Sequence, residues 1–162
     1  MRRRGYNRVP LAPLAFGGGQ ERGLRPGTLP VPLIVALGKA AEVAVRDNAA
    51  RKKGCASQRA KAVATLAAAG GRLTGDPSRV MEHVINIAFP GLDSEALIVA
   101  LKGQVAISNG SACTSSSYQP SHVLKAMGMT DDEANECVRI SWCHMTPEVD
   151  WAGIAKLVKS LL

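Results

Sequence analysis

Aromatic side chains are scarce in this sequence, with two each of Trp, Tyr and Phe among 162 residues. None of them interleaves with the basic runs at Arg2-Arg3-Arg4 and from Arg46 to Lys61. The formal charge of +7 therefore comes without the stacking residues of a nucleic-acid surface, and direct nucleic-acid binding is not expected. Cysteine is sparse too. Cys55, Cys113, Cys137 and Cys143 form no CxxC pair, which excludes a disulfide framework and suits a reducing cytoplasm. Cys137, Cys143 and His144, even with His122, lack the spacing of a structural zinc site, so no metal is expected. No apolar run approaches the roughly 20 residues a membrane-spanning helix needs. The opening arginines are not followed by the apolar stretch of a secretory signal.

What is present is aliphatic. Apolar residues make up 46% of the chain, so Ala, Val, Leu and Ile must supply the core of a domain this size. Residues 1–30 are broken by Pro10, Pro13, Pro26 and Pro30 and by Gly17-Gly18-Gly19, which forbids a long helix. Within them, Gln20 to Thr28 offers backbone N–H groups and a hydroxyl suited to an anion, without the Lys and strand-to-helix context of a P-loop. From residue 31 to 69, Leu33, Ile34, Leu37, Ala40, Ala41 and Ala44, then Ala60, Val63, Ala64 and Ala67, recur at helical spacing. They predict two helices, or one long helix kinked near Gly54, ending at Gly70-Gly71. Cys55 falls at that polar kink.

The period then changes. Val84 to Phe89 is β-branched and reads as a strand stopped by Pro90-Gly91. Asp93 or Ser94 caps a helix through Leu101. Val105-Ala106-Ile107 reads as a short strand, and Pro120 to Met127 as a helix. Thr130 and Glu133 have capping-box spacing. Val138 to Trp142 alternates as a strand, and Thr146-Pro147-Glu148 starts a last helix with Trp151, Ile154, Ala155, Val158 and Leu161 on its apolar face. The fold expected is α/β, a small, mainly antiparallel sheet packed on helices.

Between the strand at 105–107 and the helix at 120 lies Ser108-Asn109-Gly110-Ser111-Ala112-Cys113-Thr114-Ser115-Ser116-Ser117. Side chains this small cannot bury the loop, so Cys113 reads as an accessible thiol near a helix N-terminus. That is the setting in which a thiolate is stabilised and nucleophilic.

Three stretches in order carry a resemblance to the C-terminal part of a NifS/IscS-like cysteine desulfurase. They are Gly17 to Gly23 running into Arg25-Pro26-Gly27-Thr28, then Gly110 to Ser115 with Pro120 to Leu124, then Val138-Arg139-Ile140-Ser141. The wording around Phe89 to Glu95 and Ser115 to Tyr118 resembles the desulfurases that feed DNA phosphorothioation. The resemblance implies the small C-terminal domain of a fold type I pyridoxal-phosphate enzyme, a homodimer that converts L-cysteine to L-alanine. It implies that Cys113 takes the sulfur as a persulfide and passes it to an acceptor protein. By the same resemblance Arg139 grips the substrate carboxylate, which suits a planar fork of donors. Thr28 reaches the cofactor phosphate of the other subunit.

The family's lysine lies in a His-Lys segment, and no His-Lys pair occurs here; Lys39 and Lys102 stand in non-matching contexts. The expectation is a truncated desulfurase lacking the domain that carries the cofactor lysine, and inactive alone. Residues 1–30 would belong to its cofactor and dimer region, and residues 31–162 to a small α/β domain holding the cysteine loop at 108–117. The other reading is a non-enzymatic sulfur carrier or docking module, loaded on Cys113 by another enzyme.

Overall fold

The alanine-rich stretch forms one uninterrupted helix, α1, over Val31–Ala67. The computed structural model describes residues 11–110 and 120–162. By its contacts the chain divides into two units, Met1–Arg46 and Asp47–Leu162, with the boundary inside α1. Gly54 does not kink the helix. Its missing side chain removes no hydrogen bond, and a single glycine costs only about 1 kcal/mol against alanine.

In the first unit a 3₁₀ turn spans Gln20–Gly23, with Glu21 and Arg22 in the left-handed region at φ 50° and 60°. The side chains that mark the helical repeat here, Leu33, Ile34 and Leu37, are all exposed.

In the second unit a three-stranded antiparallel sheet runs in the order β1 (Arg72–Leu73), β2 (Val84–Ala88), β3 (Cys137–Ser141). Helices α2 (Ser94–Ala100), α3 (His122–Ala126), α4 (Asp131–Asn135) and α5 (Trp151–Leu161) complete it. The pairing of β2 with β3 sets Ile85 opposite Ile140 and Ile87 opposite Val138, and all four are buried. These residues meet Leu66, Phe89, Leu97, Ile154 and Val158 in the main core. On the other face, Ala88 and Cys137 pack with Leu124 and Ala134 in a smaller cluster.

Two tryptophans fasten the helices to the sheet. Trp142 and Trp151 meet edge to face, with ring centres 6.0 Å apart. The Trp142 indole N–H donates to the Cys55 carbonyl at 3.1 Å, and that of Trp151 to Gln58 Oε1 at 3.3 Å. Asp93 caps α2 and Asp150 caps α5 through backbone N–H groups, and Thr130 with Glu133 closes a capping box on α4.

Four expectations are corrected. Cys55 is buried in a continuous helix rather than at a kink. The inward stripe of α1 is Cys55, Ala62 and Leu66, not Ala60, Ala64 and Ala67. Alanine recurs on every side of this helix, so its small hydropathy cannot mark a face. Residues 105–107 form no strand; only Ser108 bridges to β3. The last helix begins at Trp151 because Asp150, not Thr146, caps it, and Leu161 is 40% exposed near its end.

Gly71 sits where α1 meets the sheet. A Cβ there would lie 2.5 Å from Ile87 Cδ1 and 2.9 Å from the Leu66 carbonyl oxygen. Gly71→Ala is expected to destabilise the chain by about 1–3 kcal/mol, the usual cost of overpacking. Gly54→Ala, whose Cβ would meet only His144 at 3.9 Å, is expected to be neutral or to stabilise by up to about 1 kcal/mol. Urea unfolding midpoints of the two variants check both signs.

Candidate functional site

Arg139 is held outward by the alternation of its strand. Val138 and Ile140 on either side are buried, at 0% and 3% exposure, so the residue between them must face away from the core. It stands opposite Asn86 of β2. Asn86 is itself fixed, because Thr74 Oγ1 donates to Asn86 Oδ1 at 2.6 Å and the Thr74 N–H donates to the Asn86 carbonyl at 3.1 Å. On its other side Arg139 exchanges both backbone hydrogen bonds with Ser108, at 2.6 and 3.1 Å. A polar row thus crosses the sheet, Thr74, Asn86, Arg139 and Ser108, with Arg139 exposed and the other three half-buried. Among the described residues the Arg139 guanidinium makes no ion pair and remains available to an anion.

The bridge to Ser108 ties Arg139 to the start of the cysteine loop. The next residue adds a second tie, as Asn109 Nδ2 donates to Ser94 Oγ at 3.2 Å. Ser94 is fully buried at the start of α2. Sequence reasoning gave neither residue this part; the sole signal was an Asp-Ser pair at a helix cap, where Asp93 takes the capping work. Cys113 lies outside the described residues, as do residues 111–119 altogether. The chain is described again from Pro120, and His122 is exposed on the first turn of α3.

Thr28 belongs to the first unit and is exposed. Arg25 Nη1 donates to the carbonyls of Gly27 and Thr28 at 3.0 Å each, and the Gly27 N–H donates to Gln20 Oε1 at 3.1 Å. These bonds hold the turn in shape with Thr28 exposed.

The two described thiols of the sheet region differ sharply. Burial, aided by the Glu136 and Glu133 carboxylates, pushes the Cys137 thiol up to about 11. Cys143 is exposed, and the N–H of Met145 with the hydroxyl of Thr146 lowers its pKa from the usual thiol value. Among the described residues no three His, Cys, Asp or Glu side chains gather to hold a metal. No described helix is long and apolar enough to cross a membrane.

The Aminotransferase class-V family matches residues 9–151. The chain belongs to that family. Its relatives are cysteine desulfurases: the mitochondrial cysteine desulfurase of Arthroderma benhamiae is 40% identical over 94% of this chain and 30% of its own length. Among solved structures, a NifS-like protein superposes with a TM-score of 0.73 at 31% identity, over 94% of this chain and 39% of the other. DndA from Streptomyces lividans does so at 0.61 and 38% identity, over 85% and 38%. The fold is therefore that of part of a NifS-like fold type I protein. The chain spans about a third of the length of these relatives.

Class-V proteins generally use pyridoxal phosphate, and the residues here fit only part of it. The Thr28 hydroxyl suits a phosphate oxygen. Neither lysine raised above suits the aldehyde: Lys39 Nζ is paired with Glu42 at 2.7 Å on an exposed helix, and Lys102 lies on the exposed turn after α2. No chemical step through the cofactor is therefore assigned to this chain's residues.

Removing the Ser94 hydroxyl leaves Asn109 without its buried acceptor, at a cost of about 1 kcal/mol. Ser94→Ala is expected to speed hydrogen exchange at the Ser108 amide by about fivefold, with smaller change in the β2–β3 amides. At pH 8 the thiolate is more populated at Cys143 than at Cys137, because burial raises the pKa of the second to about 11 and the Met145 N–H and Thr146 hydroxyl lower that of the first. Iodoacetamide is expected to label Cys143 at least about a hundredfold faster than Cys137 in the folded chain. Peptide mapping checks this, and the difference should vanish in urea.

Proposed function

We propose that this chain is the sulfur-handling part of a pyridoxal-phosphate-dependent cysteine desulfurase. L-cysteine is the substrate, L-alanine the product, and the sulfur is left as a persulfide on Cys113 for an acceptor protein. Arg139 receives the substrate carboxylate, and Thr28 contacts the cofactor phosphate across the interface of a homodimer. In a complete enzyme the bound cofactor would supply the electron sink for cleavage of the carbon–sulfur bond, and neither Lys39 nor Lys102 would hold its aldehyde. The observation that carries this reading is the double backbone bridge between Arg139 and Ser108. It joins Arg139 to Ser108, five residues before Cys113, along one edge of the sheet, which supports the two side chains serving one site. The likeness to DndA favours a desulfurase of the DNA-phosphorothioation kind. Unpaired cysteines fit a reducing cytoplasm.

The poor fit of Lys39 and Lys102 to the cofactor aldehyde favours one variation on this reading. The chain then receives its sulfur from another enzyme and acts as a carrier.

Purified chain given pyridoxal phosphate and L-cysteine is expected to release no alanine. Adding a complete desulfurase is expected to place a sulfur adduct on Cys113, visible by mass spectrometry and absent from Cys113→Ser. If no mixture loads Cys113, both readings fail. In the desulfurase assembly that contains this chain, Arg139→Ala is expected to lower kcat/KM for L-cysteine by about tenfold to a hundredfold, the worth of a charge-assisted hydrogen-bonded pair. Arg139→Lys should recover part of it. Steady-state alanine formation measures both.

A further inference from the structure

A cavity of about 460 Å³ lies in the second unit between α1, the segment leading into β2 and the turn that follows β3. That volume suits a small molecule rather than a single ion. Hydrogen bonds tie the walls of the cavity together. Trp142, on its wall, is 6% exposed, donates its indole N–H to Cys55 of α1, and donates its backbone N–H to the His83 carbonyl at 2.9 Å. Three elements are thereby pinned around one space.

Its polar lining is mainly basic. Arg51 and Lys52 come from α1, His83 from the segment before β2, and His144 from the turn after β3. Two acidic groups oppose them. Asp47 Oδ2 lies 3.3 Å from Arg51 Nη2, and the Glu82 carboxylate lines the cavity 4.0 Å from Arg59 Nε. With Arg51 beside Asp47 and Arg59 beside Glu82, the charge of Lys52 leaves the surroundings of the cavity net positive. At the rim beside His144 stands Cys143, an exposed thiol. The Met145 N–H points at its sulfur from 3.4 Å and Thr146 Oγ1 lies 3.7 Å away, so donors that favour the thiolate are already in place.

We propose that this cavity binds small anionic disulfides and that Cys143 exchanges with them. The Cys143 thiolate attacks one sulfur of the bound disulfide. A new sulfur–sulfur bond forms to Cys143, the ligand's own bond breaks, and the departing half leaves as a thiolate. The proton lost from Cys143 is taken up by that departing thiolate, so one disulfide replaces another with no net oxidation. The cations select ligands that carry carboxylates. This site uses none of Cys113, Arg139 or Thr28, so it stands apart from the desulfurase reading.

The test compares oxidised glutathione, which is anionic, with cystamine, which is cationic, on the full chain. The rate of mixed-disulfide formation at Cys143 is read by peptide mass spectrometry. The ratio of the two rates is expected to fall about tenfold in the double variant Arg51→Ala, Lys52→Ala, and to fall similarly in the unaltered chain at about 1 M salt, where charges are screened within about 3 Å. Lys52→Ala alone, at an exposed position, guards against a folding defect and should lower the ratio about threefold. A ratio unchanged by these substitutions, or no glutathione adduct at Cys143, overturns the proposal.

Discussion

The register between β2 and β3 is the constraint on which the rest depends. Five residue pairs are set by it, and the two that flank the central Asn86–Arg139 pair, Ile85 with Ile140 and Ile87 with Val138, are buried against the helices. Side chains alternate across a sheet, so a slip of one residue would drive Arg139 into the core and expose two large aliphatic side chains. At about 1.5–3 kcal/mol for each buried aliphatic side chain, the core allows no such slip. The outward guanidinium is thus a consequence of where four hydrophobic residues must go.

The same register carries the connection to the cysteine loop. Ser108 is not in a named strand, yet it pairs with Arg139 on the edge that β3 leaves open. An open sheet edge presents unpaired N–H and C=O groups, and the root of the loop satisfies a pair of them. Asn109 then reaches the buried Ser94 of α2. Arg139 therefore acts twice: its side chain meets solvent, and its peptide group anchors the chain that leads to Cys113.

Motif and pattern were legible to different degrees. The two longer strands, the cap at Asp93 and the capping box at Thr130 followed from β-branched alternation and from short-range hydrogen bonding, both of which are local. The burial of Cys55 and the true inner stripe of α1 were not legible. With alanine on every side, nothing in the helix distinguishes a core face until the Trp142 indole and the sheet choose one. The late start of α5 was hidden for a similar reason. Thr146-Pro147-Glu148 has the composition of a helix start, but the Thr146 hydroxyl is spent on the Cys143 N–H at 2.9 Å.

By itself the sequence determined the class of fold, the outward position of Arg139 and the small-residue character of the loop around Cys113. Each depends on spacing over a few residues. Only the tertiary structure decided that Asn109 bonds to the buried Ser94 and that Cys137 is buried while Cys143 is exposed. It alone brought Arg51, Lys52, His83 and His144 around one cavity. These relations join residues far apart in the chain, and their energies arise from burial and from hydrogen bonds between distant segments, which no local pattern encodes.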